Sequence, residues 1–114
     1  MNCSLKLGTL HIQSGLIETN IKNIVKDIVS SFSCSPKEIN NGLCLVFAEK
    51  LKSSLDESKI YQVGNSVPIH AWVVYKGKCY DAETPNGVKS FKSLPYLNRL
   101  GFDIDNIPEP YEVK

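Results

Sequence analysis

The sequence Ile69-His-Ala-Trp-Val-Val-Tyr-Lys-Gly-Lys-Cys-Tyr-Asp-Ala-Glu83 ("IHAWVVYKGKCYDAE") predicts two β-strands joined by a tight turn. β-Branched and aromatic residues, which favour strands, flank Lys76-Gly77, where the glycine suits a two-residue hairpin turn. In that register Tyr75 pairs with Lys78, and successive side chains alternate between two faces. The hairpin therefore puts five side chains on one face: His70, Trp72, Cys79, Asp81 and Glu83.

Two carboxylates accompany the histidine on that face. Asp81 lies diagonally across from His70, within reach of its imidazole, and Glu83 lies directly opposite. A neighbouring carboxylate fixes the tautomer of a histidine and stabilises its imidazolium, as a general base requires. Asp81 and Glu83 are therefore alternatives for this role, and Asp81 has a second interpretation as a cap of the turn at Pro85-Asn-Gly87. Trp72 and Cys79 are expected to be core or groove-wall residues.

Length and charge limit the kind of protein this is. A chain of 114 residues holds one hydrophobic core, so we expect a single domain over residues 1–114. The formal net charge is +1, without a run of like charge that would mark a nucleic-acid or membrane-surface partner. Neither a signal peptide nor a membrane-spanning apolar segment is evident, so we expect a cytoplasmic location.

The four cysteines are scattered along the chain, at Cys3, Cys34, Cys44 and Cys79. They form no C-x-x-C pair and have no His-x-x-x-His partner motif, so neither a metal nor another cofactor is expected. In a reducing compartment each cysteine is either a buried apolar residue or a reactive thiol.

Apolar periodicity predicts helices before and after the hairpin and one further strand. The expected fold class is α+β, with N-terminal helices packed on a small antiparallel sheet. The predicted elements are strands at Leu5–Leu7 and Leu10–Ile12, a helix over Glu18–Phe32 capped by Thr19 or Asn20, a loop "SCSPKEINNG" at 33–42, a helix from Leu43 or Cys44 to Leu55, a strand over Ile60–Val63, a helix over Phe91–Leu100 with Gly101 as its C-cap, and an extended tail.

The thiol that such a base would deprotonate is Cys44, in the first turn of the second predicted helix. There it meets the positive end of the helix dipole and unpaired N–H groups, which lower the pKa of a thiol. Asn40 or Asn41 would cap this helix or donate to an oxyanion, and Gly42 would let the backbone turn sharply and approach a substrate. The candidate nucleophile, base and orienting acid are thus Cys44, His70 and Asp81.

Two segments together resemble a known family. "NNGLCLVFAEKL", in which a cysteine opens a helix, and "HAWVVYKGKCYDAETP" are similar to the papain-like and transglutaminase-like cysteine fold, including its small phage and bacterial members. The His-Ala-Trp triplet is most similar to the transglutaminase-like branch, and the similarity covers Asn40 to Val88. It implies that Cys44 is the nucleophile, His70 the general base and acid, and Asp81 the third member.

One departure from the papain-like pattern concerns the oxyanion. No glutamine lies a few residues before Cys44, so oxyanion stabilisation would come from the Cys44 backbone N–H and an asparagine side chain. The resemblance implies a hydrolase or acyltransferase that acts on an amide, isopeptide or thioester bond of a protein or peptide-like acyl substrate, a host protein among the candidates. The alternative is a non-catalytic binding protein or inhibitor of phage or mobile-element origin on the same fold.

Overall fold

The computed structural model describes residues 21–64, 69–101 and 103–114. The described residues form four α-helices and four strands: α1 (Ile21–Ser30), α2 (Pro36–Asn40), α3 (Cys44–Ser54), β1 (Lys59–Val63), β2 (His70–Tyr75), β3 (Lys78–Tyr80), α4 (Pro95–Arg99) and β4 (Tyr111–Val113). Short 3-10 turns lie at Phe91–Ser93 and Ile104–Asn106. The fold class is mixed α+β, as predicted, with helices beside a small antiparallel sheet.

The sheet has the order β3-β2-β1-β4, and every neighbouring pair is antiparallel. The predicted hairpin register is confirmed, because Tyr75 pairs with Lys78. Lys76 and Gly77 both have positive φ, 49° and 79°, which is the backbone of the type I′ turn that suits the twist of two adjacent strands.

Strand β2 is covered on both of its faces. One face packs against α3, on which α1 packs in turn, and the residues of this larger cluster include Ile24, Val25, Ile28, Phe47, Ala48, Leu51, Ala71 and Val73. The opposite face packs in a smaller cluster made by Val63, Trp72, Cys79, Leu94 and Leu97. Because both faces are apolar, the polar residue at the start of β2, His70, stands out from its surroundings.

The loop predicted over 33–42 is wrong in part, because residues Pro36–Asn40 form α2. Ser35 is the N-cap: its hydroxyl accepts a hydrogen bond from the Glu38 N–H, and the Glu38 carboxylate accepts one from the Ser35 N–H. Pro36 follows in the first turn, where the lack of an N–H costs nothing. Serine and proline therefore start a helix here, although their composition resembles that of a loop.

The helix predicted over Phe91–Leu100 is also wrong in part, because Pro95 divides it. The residue before a proline avoids helical backbone angles, and Leu94 is extended, with ψ of 126°. A 3-10 turn precedes this point and α4 follows it, and Gly101 comes after α4 in the left-handed region, with φ of 78°.

Other boundaries lie close to their predictions. The second helix and the strand at residues 59–63 are confirmed, the first helix ends two residues early at Ser30, and the extended tail contributes β4. The strands predicted at Leu5–Leu7 and Leu10–Ile12 and the cap at Thr19 or Asn20 lie outside the described residues. Within the described ranges, no helix is both long and apolar enough to cross a bilayer.

Gly77→Ala is expected to lower the free energy of unfolding by about 1–2 kcal/mol, because residue 77 has the left-handed φ that an L side chain disfavours. Gly42→Ala is the matched control, since Gly42 lies outside the left-handed region and neither added Cβ meets an atom within 4 Å. Denaturant unfolding of both variants measures the difference. Equal losses of stability would contradict the assigned turn.

Candidate active site

A buried histidine–carboxylate pair lies where the β2–β3 hairpin opens. His70 Nε2 and Asp81 Oδ2 are 2.9 Å apart, and the two side chains are 0% and 1% exposed. Sequence reasoning from the hairpin register predicted this contact, and the structure confirms it. A buried carboxylate at this distance holds the imidazole in one orientation and stabilises its protonated form.

Asp81 is held by a turn that begins at the end of β3. Its Oδ1 accepts hydrogen bonds from the Glu83 N–H at 3.0 Å and from the Thr84 hydroxyl at 2.9 Å, and its own N–H donates to that hydroxyl at 2.8 Å. This is an Asx-type turn with a buried threonine added. Because Oδ1 is fully engaged, Oδ2 is left to face His70.

Cys44 interacts with His70. Nε2 is occupied by Asp81, so Nδ1 is the nitrogen that can interact with Cys44. Nδ1 is buried and has no hydrogen-bond partner among the described residues, so the contact to the sulfur is looser than a formed hydrogen bond. Catalytic hydrogen bonds are often long until substrate draws the groups together.

The pKa values of the two groups move in opposite directions. Burial acts to raise the pKa of the Cys44 thiol, but interaction with His70 and backbone hydrogen bonds from Ala71 and Leu45 outweigh burial and lower the pKa. Burial likewise acts to lower the pKa of His70, but the Asp81 hydrogen bond and the nearby thiol outweigh it and raise the pKa. Both shifts favour a thiolate beside an imidazolium.

The contact between Cys44 and the Ala71 backbone follows from the sheet. In an antiparallel ladder the backbone groups of successive residues point alternately to the two sides. The backbone N–H and C=O groups of Tyr75 and Val73 point to β3, so those of Ala71 point to the same side. However, β3 already ends at Tyr80, so that this side of Ala71 is open to the start of α3.

The start of α3 supplies further donors. Cys44 is its first residue, and the preceding Leu43 makes no side-chain capping hydrogen bond. The N–H groups of a first helical turn have no partners within the helix. The Leu45 N–H donates a hydrogen bond to the Cys44 sulfur. The Cys44 N–H is therefore the donor next to the sulfur that could stabilise an oxyanion.

A cavity of about 360 Å³ opens beside the thiol. Among the described residues that line it, none is Asp, Glu, Lys or Arg; these residues are Asn40, Asn41, Gly42, Cys44, Leu45, Ile69, Ala71 and Tyr96. An uncharged acyl group suits such a wall, because an ion would lose hydration there without gaining a partner.

Glu83 does not contact His70, so the alternative that made it the third member is wrong. The turn at Asp81 rotates the chain away from the hairpin, and the Glu83 carboxylate instead meets both terminal nitrogens of Arg99, each at 2.8 Å. Burial acts to raise the pKa of Glu83, but Arg99 and Asn40 outweigh it and lower the pKa. Asp81 is therefore the carboxylate that orients the histidine.

The two asparagines do not cap α3, contrary to that part of the prediction. Asn40 is the last residue of α2, and Asn41 is its C-cap. The Asn40 amide Nδ2 donates to Glu83 Oε2 at 2.8 Å, and its Oδ1 is buried without a hydrogen-bond partner among the described residues. Asn41 Oδ1 accepts a hydrogen bond from the Tyr96 hydroxyl at 3.4 Å.

Gly42 lines the cavity beside Cys44, and Trp72 lies in the core. Gly42 lies outside the left-handed region and a Cβ there would meet no protein atom within 4 Å, so the turn itself does not require glycine; its role in the approach of a substrate stays a prediction. Trp72 is a core residue, as expected: it is 1% exposed and stacks on Phe91, with ring centroids 5.5 Å apart. Cys79 is buried in the same cluster, and burial raises the pKa of its thiol.

Sequence reasoning missed three residues of the site. Thr84 holds Asp81, Arg99 holds Glu83, and the Tyr96 ring covers the imidazole, with centroids 4.7 Å apart. A threonine three residues after an aspartate at a strand end was a readable turn signal. Nothing in the sequence, by contrast, brings α4 with its tyrosine and arginine next to the hairpin.

Comparisons with known proteins leave the family open. No protein-family model matches the chain, and neither a curated protein nor a solved structure matches it at a significant level. Across the described ranges, no group of three or more His, Cys, Asp or Glu residues is arranged to hold a metal ion.

Thr84→Val is expected to lower the free energy of unfolding by about 1–3 kcal/mol, because it removes the hydroxyl that pairs with the buried Asp81 N–H and carboxylate. Thr84→Ser, which keeps the hydroxyl, is the control and is expected to lose much less. Denaturant unfolding measures both, and a loss as large in the serine variant would mean that the methyl group, not the hydroxyl, is what matters.

Proposed function

We propose that the protein is a cysteine-dependent hydrolase or acyltransferase with Cys44 as nucleophile, His70 as general base and acid, and Asp81 as the orienting carboxylate. The observation that carries this proposal is the placement of one buried imidazole between Asp81 and a helix-start thiol beside a cavity. A nucleophile, a base within reach of it and a third group that orients the base are the parts that such catalysis requires.

The reaction would run through an acyl-enzyme. The Cys44 thiolate attacks the carbonyl carbon of an amide, isopeptide or thioester, and the negative charge on oxygen is stabilised by the Cys44 N–H. The tetrahedral intermediate collapses as the leaving group departs, and an amine leaving group takes the proton of the His70 imidazolium. Water or an amine then attacks the thioester, with His70 as base, and the thiolate is regenerated.

The papain-like or transglutaminase-like core is part of this proposal. Its support is the chain order of the three residues on their elements: a cysteine that opens a helix, a histidine on a following strand and an aspartate at the end of the next. The substrate proposed is a protein or peptide-like molecule, such as a host protein in the cytoplasm, that presents an uncharged acyl group to the cavity.

A second candidate is a non-catalytic binding protein or inhibitor on the same fold. The observation that favours it is the burial of His70, which is 0% exposed beneath the Tyr96 ring. A sealed imidazole of this kind also occurs as a packing residue, and it would then leave Cys44 an ordinary thiol. The reactivity of Cys44 separates the two candidates.

Alkylation of Cys44 by iodoacetamide is expected to stay fast below the usual thiol pKa of about 8.5, because the lowered pKa keeps the thiolate populated as the pH falls. In His70→Ala the imidazolium is lost, so the pH dependence should move toward that of an ordinary thiol. The measurement is the rate of labelling between about pH 5 and about pH 9, assigned to each cysteine by mass spectrometry.

Asp81→Asn and Glu83→Gln form a matched pair for the same assay. Asp81→Asn should shift the labelling profile to higher pH by lowering the basicity of His70, whereas Glu83→Gln should leave the profile near that of the wild type. Uniformly slow labelling of Cys44 in the wild type would support the binding protein instead. Equal, small effects of both substitutions would remove Asp81 from the triad.

A further inference from the structure

Three side chains in the wall of the cavity beside Cys44 carry strong hydrogen-bond donors: Asn40, Asn41 and Tyr96. Asn40 is almost fully buried, and its amide nitrogen donates to the Glu83 carboxylate at 2.8 Å. Asn41 is exposed and Tyr96 is half-buried. The donors that a bound acyl group can reach from solvent are therefore those of Asn41 and Tyr96.

Of these two side chains, Tyr96 is the one held in place. Its ring lies against the His70 imidazole, with centroids 4.7 Å apart, and the Arg99 guanidinium lies over the ring, 5.6 Å from its centroid. Arg99 is itself held by two hydrogen bonds to Glu83. A donor that stabilises a transition state must be fixed before the reaction begins, and the Tyr96 ring meets that condition.

The Tyr96 hydroxyl reaches across the cavity wall to Asn41. It donates to Asn41 Oδ1 at 3.4 Å, which is long beside the usual O–H···O distance of about 2.7–2.8 Å. Because Asn41 is exposed, water can replace the hydroxyl as donor to this oxygen, so the bond costs little to exchange. Burial raises the pKa of Tyr96, and the negative charge of the Cys44 thiolate raises it further, so the hydroxyl and the sulfur interact.

We propose that Tyr96 is a catalytic residue whose hydroxyl donates a hydrogen bond to the oxyanion formed when Cys44 attacks an acyl carbonyl. As the sulfur–carbon bond forms, the π electrons of the carbonyl move to its oxygen, and the hydroxyl exchanges Asn41 Oδ1 for that oxygen. Its proton stays on Tyr96, and the hydroxyl returns to Asn41 when the leaving group departs. The inference gives tyrosine the role first expected of an asparagine, and it rests on the proposed function, since the oxyanion arises only in acyl transfer.

Two reagents test the inference on the intact protein. Iodoacetamide alkylates the Cys44 thiolate by displacing iodide from a saturated carbon, so no oxyanion forms. With p-nitrophenyl acetate the thiolate attacks the ester carbonyl, an oxyanion forms, and p-nitrophenolate departs with the electron pair of the broken carbon–oxygen bond. The rate of acylation divided by the rate of alkylation cancels the thiolate population and reports the oxyanion donors. We expect this ratio to be higher for Cys44 than for free cysteine.

Three variants assign the donor. Tyr96→Phe removes the hydroxyl and keeps the ring over His70, so the ratio should fall by about 10²-fold, as is typical when one oxyanion donor is lost, with alkylation near the wild-type rate. Tyr111→Phe is the matched control, because it removes a hydroxyl on β4 that is not among the described residues lining the cavity. Asn41→Ala tests the rival donor, and its ratio should fall much less than that of Tyr96→Phe.

The outcomes are distinguishable from a failure of the proposed function. Slow alkylation of wild-type Cys44 overturns the thiol enzyme and this inference with it. Fast alkylation with the ratio of free cysteine overturns the inference alone, as does a ratio unchanged in Tyr96→Phe. An equal or larger fall in Asn41→Ala or Tyr111→Phe also overturns it, whereas a large fall confined to Tyr96→Phe supports it.

Discussion

The turn at Asp81 is the constraint on which the rest of the site depends. By ending β3 at Tyr80, it leaves Ala71, which pairs with Gln62 of β1, without a β3 partner on its other side, and the start of α3 with Cys44 occupies that side. The same turn engages Asp81 Oδ1 with Thr84 and a backbone N–H, so that Oδ2 is aimed at His70. One local arrangement thus orients His70 and opens the edge where Cys44 lies.

Burial makes the resulting charges interdependent. His70 and Asp81 are almost fully buried, so either charge alone would carry a large desolvation cost. The carboxylate offsets that cost for the imidazolium, and the imidazolium in turn lowers the pKa of the Cys44 thiol. Removing the Asp81 carboxylate changes the protonation of His70 and, through it, that of Cys44, so the imidazole and the thiol are best regarded as one titrating pair.

Sequence reasoning reached the parts of the site that depend on local rules. Strand alternation and a two-residue turn predicted that His70 and Asp81 meet, and helical periodicity placed Cys44 at a helix start. It could not choose between Asp81 and Glu83, because that choice depends on hydrogen bonds within the turn. Nor could it find Tyr96 and Arg99, since tertiary packing alone brings α4 beside the hairpin.

Asp81 and Glu83 are two residues apart, yet their carboxylates interact with different parts of the structure. On an ideal hairpin Asp81 and Glu83 would share a face, and two like charges there would compete for one imidazole. The turn separates them: Asp81 meets His70, and Glu83 meets Arg99 from α4 and Asn40 from α2. The first pair lowers the pKa of the Cys44 thiol, and the second holds the side-chain amide of Asn40, a residue that lines the cavity. The second depends on the position of α4, which tertiary packing sets, so a helix distant in the sequence helps to fix the Asn40 amide beside the cavity.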